Sequence, residues 1–240
     1  MGNRNYGGLF LLDEKNSNNL GWRWNKVTDL EGWQKPDGFV VNFVFSLDQD
    51  PSTKIYDLGC GIGRHTIFFA SQGYQVAASD ISTQAVERTK DWLEKLGLSA
   101  DVQQGCMTDI HQPDNEFDLV ISINVIYHAY KRDIIKTISE IYRILKPSGE
   151  FYCTLKTLDE DTAFDQEYQM VEDQTFILKG GVEKDIPHFL STKKDVLEFF
   201  EDFEILHIVY AELYKQPFDK KHFVERKGRG YFRVHVRKPQ

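Results

Sequence analysis

The residues of this chain best placed to do chemistry begin with Asp57-Leu58-Gly59-Cys60-Gly61-Ile62-Gly63, a glycine loop between an apolar run and a helical pattern that starts at Arg64. Glycines at such a junction accept positive φ and let a ligand approach the backbone closely. Their spacing narrows the choice of ligand. A dinucleotide loop reads G-x-G-x-x-G, whereas here the glycines stand at 59, 61 and 63 and position 64 is arginine. Asp57 discriminates further, because a carboxylate at the strand end would repel a pyrophosphate and favour a ligand carrying an ammonium group. Asp80 closes the next apolar run, where Rossmann-type folds place the carboxylate that bonds ribose hydroxyls; a helix-capping aspartate would occupy the same place.

A second group follows a later apolar run. Ile123, Asn124 and Val125 end that run, and Tyr127, His128 and Tyr130 come next. His128 could serve as a general base, as a ligand of a second substrate, or as the first polar residue of a helix. His65, just inside the first helix, could meet a ligand carboxylate or serve structure alone, and His188 beside Phe189 could line a pocket or pack in a turn. The other histidines, His111, His207, His222 and His235, form no HxH or HExxH grouping and have no cysteine at ligand spacing, so no metal site is expected.

Holding these residues requires strands alternating with helices. Lys54 to Leu58 reads as a short buried strand, Arg64 to Gln72 as a helix stopped by Gly73, Gln75 to Ser79 as a strand, Ser82 to Leu96 as a helix and Ala100 to Gln104 as a strand. Phe117 to Ile123 is an almost unbroken apolar run. After it, Ile134, Ile138, Ile141 and Leu145 recur at helical spacing until Lys146-Pro147-Ser148-Gly149 stops the helix. Glu150 to Leu155 is the fifth strand. The acidic stretch 157–190 is long enough for a functional lid, and an amphipathic helix begins near Ser191. Glu204 to Tyr210 and Tyr231 to Arg237 read as the last strands. In the latter Phe232, Val234 and Val236 alternate with Arg233, His235 and Arg237, which predicts one wet face, as near a sheet edge. The alternation as a whole predicts an α/β, doubly wound, mostly parallel sheet covered on both faces.

Composition bounds the partners. With 240 residues and a net charge of -8 without a Lys/Arg block, the chain lacks the clustered cations that bind a polyanion, so nucleic acid is not an expected partner. Cys60, Cys106 and Cys153 are odd in number and widely spaced, which fits a reducing cytoplasm rather than a disulfide framework. No apolar window is long enough for a membrane span. Met1 to Tyr6 approaches a myristoylation signal but places tyrosine where serine or threonine is expected. Two of the four tryptophans fall in Gly21-Trp22-Arg23-Trp24, with Trp33 close behind; with Phe39, Phe43 and Phe45 they form an aromatic amino-terminal segment that either packs on the sheet or caps a pocket. The expected organisation is a cap over 1–50 and a ligand-binding domain over 51–240 with a lid insertion at 157–190.

The loop Asp57 to Gly63, together with Ser79-Asp80-Ile81-Ser82, resembles the first two signatures of class I (Rossmann-like) S-adenosylmethionine-dependent methyltransferases. Gly105-Cys106-Met107-Thr108-Asp109-Ile110 resembles the stretch around the adenine, although Cys106 stands where many relatives carry aspartate or asparagine. Cys60 to Thr66 followed by Gly73-Tyr74-Gln75-Val76 is similar to the tellurite-resistance-type small-molecule methyltransferases. The resemblance implies a seven-stranded sheet with its last strand antiparallel, and S-adenosylmethionine as cofactor with S-adenosylhomocysteine as product. It implies a cofactor site of Asp57, Gly59, Cys60, Gly61, Gly63, His65, Asp80, Ile81, Met107, Asp109, Ile123 and Asn124, with Tyr127 and His128 facing the methyl-transfer space. The expected acceptor is a small molecule, and the expected state a cytoplasmic monomer or homodimer. The alternatives are a methyltransferase of protein or RNA, a dinucleotide-dependent oxidoreductase, and a cofactor-binding module without catalysis.

Overall fold

The apolar runs become ten strands in the computed structural model, which describes residues 22–27, 30–44, 50–158, 168–213 and 229–240. They are β1 Lys54–Leu58, β2 Gln75–Asp80, β3 Asp101–Gln104, β4 Phe117–Ser122, β5 Leu145–Lys156, β6 Tyr168–Glu172, β7 Thr175–Leu178, β8 Pro187–Phe189, β9 Glu204–Leu213 and β10 Arg229–Arg237. Seven form one sheet in the order β3-β2-β1-β4-β5-β10-β9, and β10 runs antiparallel to both its neighbours. Asp57 is in register with Ala78 of β2 and Ile121 of β4, so the carboxyl ends of these three strands lie side by side. The strand order reverses between β1 and β4, the switch point at which open α/β sheets bind ligands.

Among the described residues six α-helices complete the layers: α1 Leu30–Trp33, α2 Gly38–Val44, α3 Arg64–Ser71, α4 Thr83–Leu96, α5 Lys131–Ile144 and α6 Lys193–Phe199. α4 starts at Ser82, whose side chain accepts from Ala85 N, and ends at Gly97 in the left-handed region. α6 starts in a capping box between Thr192 and Asp195. On one face of the sheet α5 buries Ile134, Ile138, Ile141 and Ile144 against Phe151 and Leu155, with Phe199 and Phe200 beside them. On the other, Val40 and Val44 of α2 and Phe69 of α3 cover Ile55, Leu119 and Ile121. Each such fully buried side chain contributes roughly 1.5–3 kcal/mol, which is what fixes the strand ends in place.

Three details depart from the sequence reading. The 157–190 stretch contains a three-stranded antiparallel sheet of β6, β7 and β8 around a small core of Phe176, Leu178 and Leu190; strands of three to five residues are too short to show a period. β10 alternates as expected but is interior, since β9 forms the edge. Its polar face is covered by the amino-terminal segment, where Phe43 stacks on Tyr152 at 5.0 Å and meets His235 edge-on at 4.9 Å. β5 begins at Leu145, before the expected Glu150, and a register shift against β4 absorbs Lys146 to Gly149. Met1 to Tyr6, Gly21, Phe45 and His222 lie outside the described residues. Among the described residues no helix is long and apolar enough to cross a membrane.

Candidate active site

The glycine loop leaves β1 with Gly59 at φ 74° and Gly61 at φ 57°, conformations that L side chains adopt only under strain. Gly59 N and Cys60 N both donate to Ser79 O, at 2.8 and 2.9 Å, which ties the loop to β2. Neighbours also demand glycine at both places. A Cβ on Gly59 would lie 2.4 Å from Val125 Cγ1, and one on Gly61 would lie 2.6 Å from Trp24 Cζ2. The loop is thus pressed between the turn after β4 and the amino-terminal aromatic segment, while Gly63 opens α3.

Two carboxylates flank the loop with different partners. Asp57 is buried and its Oδ2 accepts from Thr66 Oγ1 at 2.7 Å. Burial pushes this carboxyl up to about 6, against the Thr66 hydrogen bond and the nearby Arg64. Asp80 accepts through Oδ2 from Gly61 N and through Oδ1 from Ser82 N, both at 2.8 Å. Burial raises its pKa, and the two backbone donors counter the shift. Each oxygen of Asp80 still has acceptor capacity, so one side chain can brace the loop and accept from a ligand hydroxyl.

The turn after β4 is held as firmly. Asn124 sits at φ 62°, its N–H donates to Thr154 Oγ1 at 2.7 Å, and that hydroxyl donates to Asn124 Oδ1 at 3.2 Å. His128 N then donates to Val125 O at 2.8 Å. Tyr127 is buried with its ring 4.4 Å from that of His128, and its carbonyl accepts from Phe189 N in β8 at 2.8 Å. The 157–190 stretch is therefore hydrogen-bonded to the residues that follow β4.

Here the structure gathers a group that the sequence did not display. Glu183 Oε1 lies 3.6 Å from His128 Nε2, and Glu183 Oε2 lies 3.4 Å from His188 Nε2. Trp22 Nε1 donates to Glu183 Oε1 at 3.1 Å. Burial lowers His128 to about 4 in spite of the carboxylate beside it, so the imidazole is neutral near pH 7. Burial alone would raise Glu183, but the two imidazoles outweigh it and hold the group well below the ordinary carboxylate range. Both shifts describe one coupling, and the state consistent with them is an ionised Glu183 beside a neutral His128.

These contacts close a circuit. Gly61 touches Trp24, Trp24 packs on Trp22 at 5.2 Å, Trp22 bonds Glu183, Glu183 faces His128, and His128 returns through Val125 to Gly59. The circuit joins the glycine loop to the residues after β4 through both the amino-terminal segment and the 157–190 stretch. The remaining sequence candidates lie around it. Ile123 is buried, and Ile81 is half-buried with its carbonyl accepting from Gln104 Nε2. Met107 packs half-buried on the core, and Asp109 is exposed, 3.5 Å from His111. Burial raises the Cys60 thiol well above its usual range. His65 is buried and its Nε2 accepts from Asp37 N at 3.1 Å, which fastens the amino-terminal segment to α3. Glu183 was not anticipated as a site residue, and nothing local marks it among its neighbours.

The sheet order, the turn at the β1/β4 switch point and the two carboxylates beside it make an open α/β sheet with a candidate ligand site at its switch point. Residues 55–149 match the model of a methyltransferase domain. Phosphoethanolamine N-methyltransferase 3 of Arabidopsis thaliana is 26% identical over 177 residues, covering 61% of this chain and 36% of that protein. The chain spans about a third of the length of the plant phosphoethanolamine methyltransferases it matches. A methyltransferase structure from Methanosarcina mazei superposes with a TM-score of 0.69 at 19% identity, over 85% of this chain and 99% of that one. TehB from Haemophilus influenzae superposes at 0.61 and 18% identity, over 85% and 62% of the two chains. Over residues 55–149 the chain is similar to a methyltransferase domain, and its fold is that of solved methyltransferases whose cofactor is S-adenosylmethionine.

The residues present fit that cofactor. Trp24, whose ring lies on Gly61, holds its Nε1 donor buried without a partner among the described residues, as a site for an acceptor group of a ligand would. The Asp57 carboxylate, held up by burial, is the kind of group that an arriving ammonium returns to its ionised state.

Proposed function

We propose that the protein transfers the methyl group of S-adenosylmethionine to a small-molecule acceptor, which enters between the amino-terminal segment within 1–50 and the lid at 157–190 of the 51–240 domain. The observation that carries this reading is the circuit from Gly61 through Trp24, Trp22, Glu183, His128 and Val125 to Gly59. When bound, the cofactor supplies an electrophilic methyl group on a sulfonium. The chain supplies position. Asp57 meets the ammonium group, Asp80 the ribose hydroxyls, and the backbone from Gly59 to Gly63 the body of the ligand. Ile81, Met107 and Asp109 meet the adenosine, and Ile123 and Asn124 the methionine part. Tyr127 and His128 face the acceptor, with Glu183 holding the imidazole.

An in-line displacement draws mainly on alignment and exclusion of water, and alignment alone supplies about 7–11 kcal/mol. His128 is neutral and could receive a hydrogen bond from a protonated acceptor, whereas thiolates and neutral amines would need no base at all. The test is S-adenosylhomocysteine release on a panel of small amines, alcohols and thiols that includes phosphoethanolamine. His128→Ala should lower turnover by about 10²-fold or more, at the low end of what positioned acid–base groups provide, with cofactor affinity unchanged. Normal turnover would remove His128 from the site, and release only with protein or RNA acceptors would overturn the small-molecule reading.

A further inference from the structure

We infer that His128, Glu183 and His188 form a binding site for a divalent transition-metal ion, with zinc as the best match to the donor set. One nitrogen of each imidazole and one carboxylate oxygen of Glu183 lie within 4.8 Å of one another, and His188 is fully buried. Ligand atoms about 2.0–2.2 Å from a tetrahedral zinc stand roughly 3.3–3.5 Å apart. The two nitrogen–oxygen separations, 3.6 Å from His128 to Oε1 and 3.4 Å from His188 to Oε2, are close to that spacing, one at each oxygen of the carboxylate. A cation placed among the three would draw the two imidazole nitrogens, within 4.8 Å of each other, toward that spacing.

The surroundings orient the donors as a metal would need. His188 Nδ1 lies 2.9 Å from Ile186 O, and the tautomer assigned from that contact donates to the carbonyl and turns the Nε2 lone pair toward Glu183. A metal-bound histidine almost always donates its other ring nitrogen in this way. Trp22 Nε1 donates to Glu183 Oε1, which helps to fix the carboxylate. Two imidazole nitrogens that converge on one carboxylate form an arrangement that a proton or a cation can bridge. Two imidazoles and a single carboxylate suit zinc and its first-row neighbours, whereas calcium and magnesium prefer sets made of oxygen.

Histidine spacing along the chain led to the expectation of no metal site, because the third ligand is an unremarkable glutamate and two of the ligands lie in the 157–190 stretch. An ion here would clasp β8 and the turn before it to the residues that follow β4. Three protein ligands leave a fourth position open on a four-coordinate ion. The use of that position rests on the methyltransferase reading: it would take a hydroxyl or thiol of the acceptor and ease loss of its proton to solvent.

The test treats the full chain with a chelator, then titrates it with Co²⁺ while following visible ligand-field absorption, with Zn²⁺ as competitor. The expected result is saturation at a single equivalent with intense bands that zinc abolishes. Outer-shell partners alone move metal affinity roughly 10- to 100-fold, so Glu183→Gln should weaken binding by at least the upper figure. His188→Gln should do the same, and His111→Asn, at an exposed histidine, should change nothing. Calorimetric binding of S-adenosylmethionine, measured on the same samples, reports that the variants are folded. The proposal is overturned if the unaltered chain shows no saturable cobalt bands, or if Glu183→Gln titrates as the unaltered chain does. A chain that binds S-adenosylmethionine but no cobalt keeps the functional reading and loses this one, and the reverse result separates them the other way.

Discussion

Replacing Asp57 with asparagine separates the stability of the site from its function. The Asp57 carboxyl is fully buried, and its pKa in the folded chain is about 6 against 3.8 for an unperturbed aspartate. The folded state therefore holds this proton over a range in which the unfolded chain has lost it. Its contribution to stability is complete below about 3.8, is lost as pH rises through about 6, and stays lost above. Two units correspond to roughly 3 kcal/mol of penalty at neutral pH in the ligand-free protein. Asparagine keeps an oxygen to accept from Thr66 Oγ1 and carries no charge to desolvate. Asp57→Asn should thus be more stable than the parent by up to roughly 3 kcal/mol at pH 7.5, with the difference vanishing toward pH 4. Urea denaturation of both proteins between pH 4 and 8, without ligand, measures this. S-adenosylmethionine should bind the variant more weakly, because the ammonium loses its counter-charge. A variant less stable than the parent at pH 7.5, or a difference that does not change with pH, would refute the reasoning.

Asp80→Ala should weaken S-adenosylmethionine binding far more than folding, as read by paired calorimetry and thermal melts; unchanged affinity in a folded variant would remove the ribose assignment. Gly59→Ala should destabilise the chain by about 1–3 kcal/mol, since its Cβ would meet Val125 at 2.4 Å and the backbone is held at φ 74°. Adding Val125→Ala should recover part of that loss, whereas an undisturbed midpoint in Gly59→Ala would show that the loop is not pressed against the β4 turn.

Strand and helix identities from Lys54 to Lys156 were legible because each element carries its own period and stop: the buried run of β4, the isoleucines of α5 and the glycines after α3 and α4. The glycine loop was legible for a related reason, since ligand approach and positive φ both select glycine at fixed spacing. What the sequence hid was set by contact rather than pattern. Trp24 on Gly61, Val125 against Gly59 and Trp22 on Glu183 each join segments far apart in the chain. Glu183 carries no local signal, and it becomes distinctive only where β8 brings His188 beside His128. The three short strands β6 to β8 escaped notice because an antiparallel sheet this small takes its stability from Phe176, Leu178 and Leu190 packing together rather than from any one strand.

The central claim is that the loop at the β1/β4 switch point binds a cationic adenosyl ligand rather than a dinucleotide. Calorimetric titration of the full chain with S-adenosylmethionine, S-adenosylhomocysteine and NADH in parallel tests it most directly. Micromolar binding of both adenosyl ligands, about -8 kcal/mol, with no heat from NADH is the predicted result. Saturation by NADH alone, or by none of the three, would contradict it.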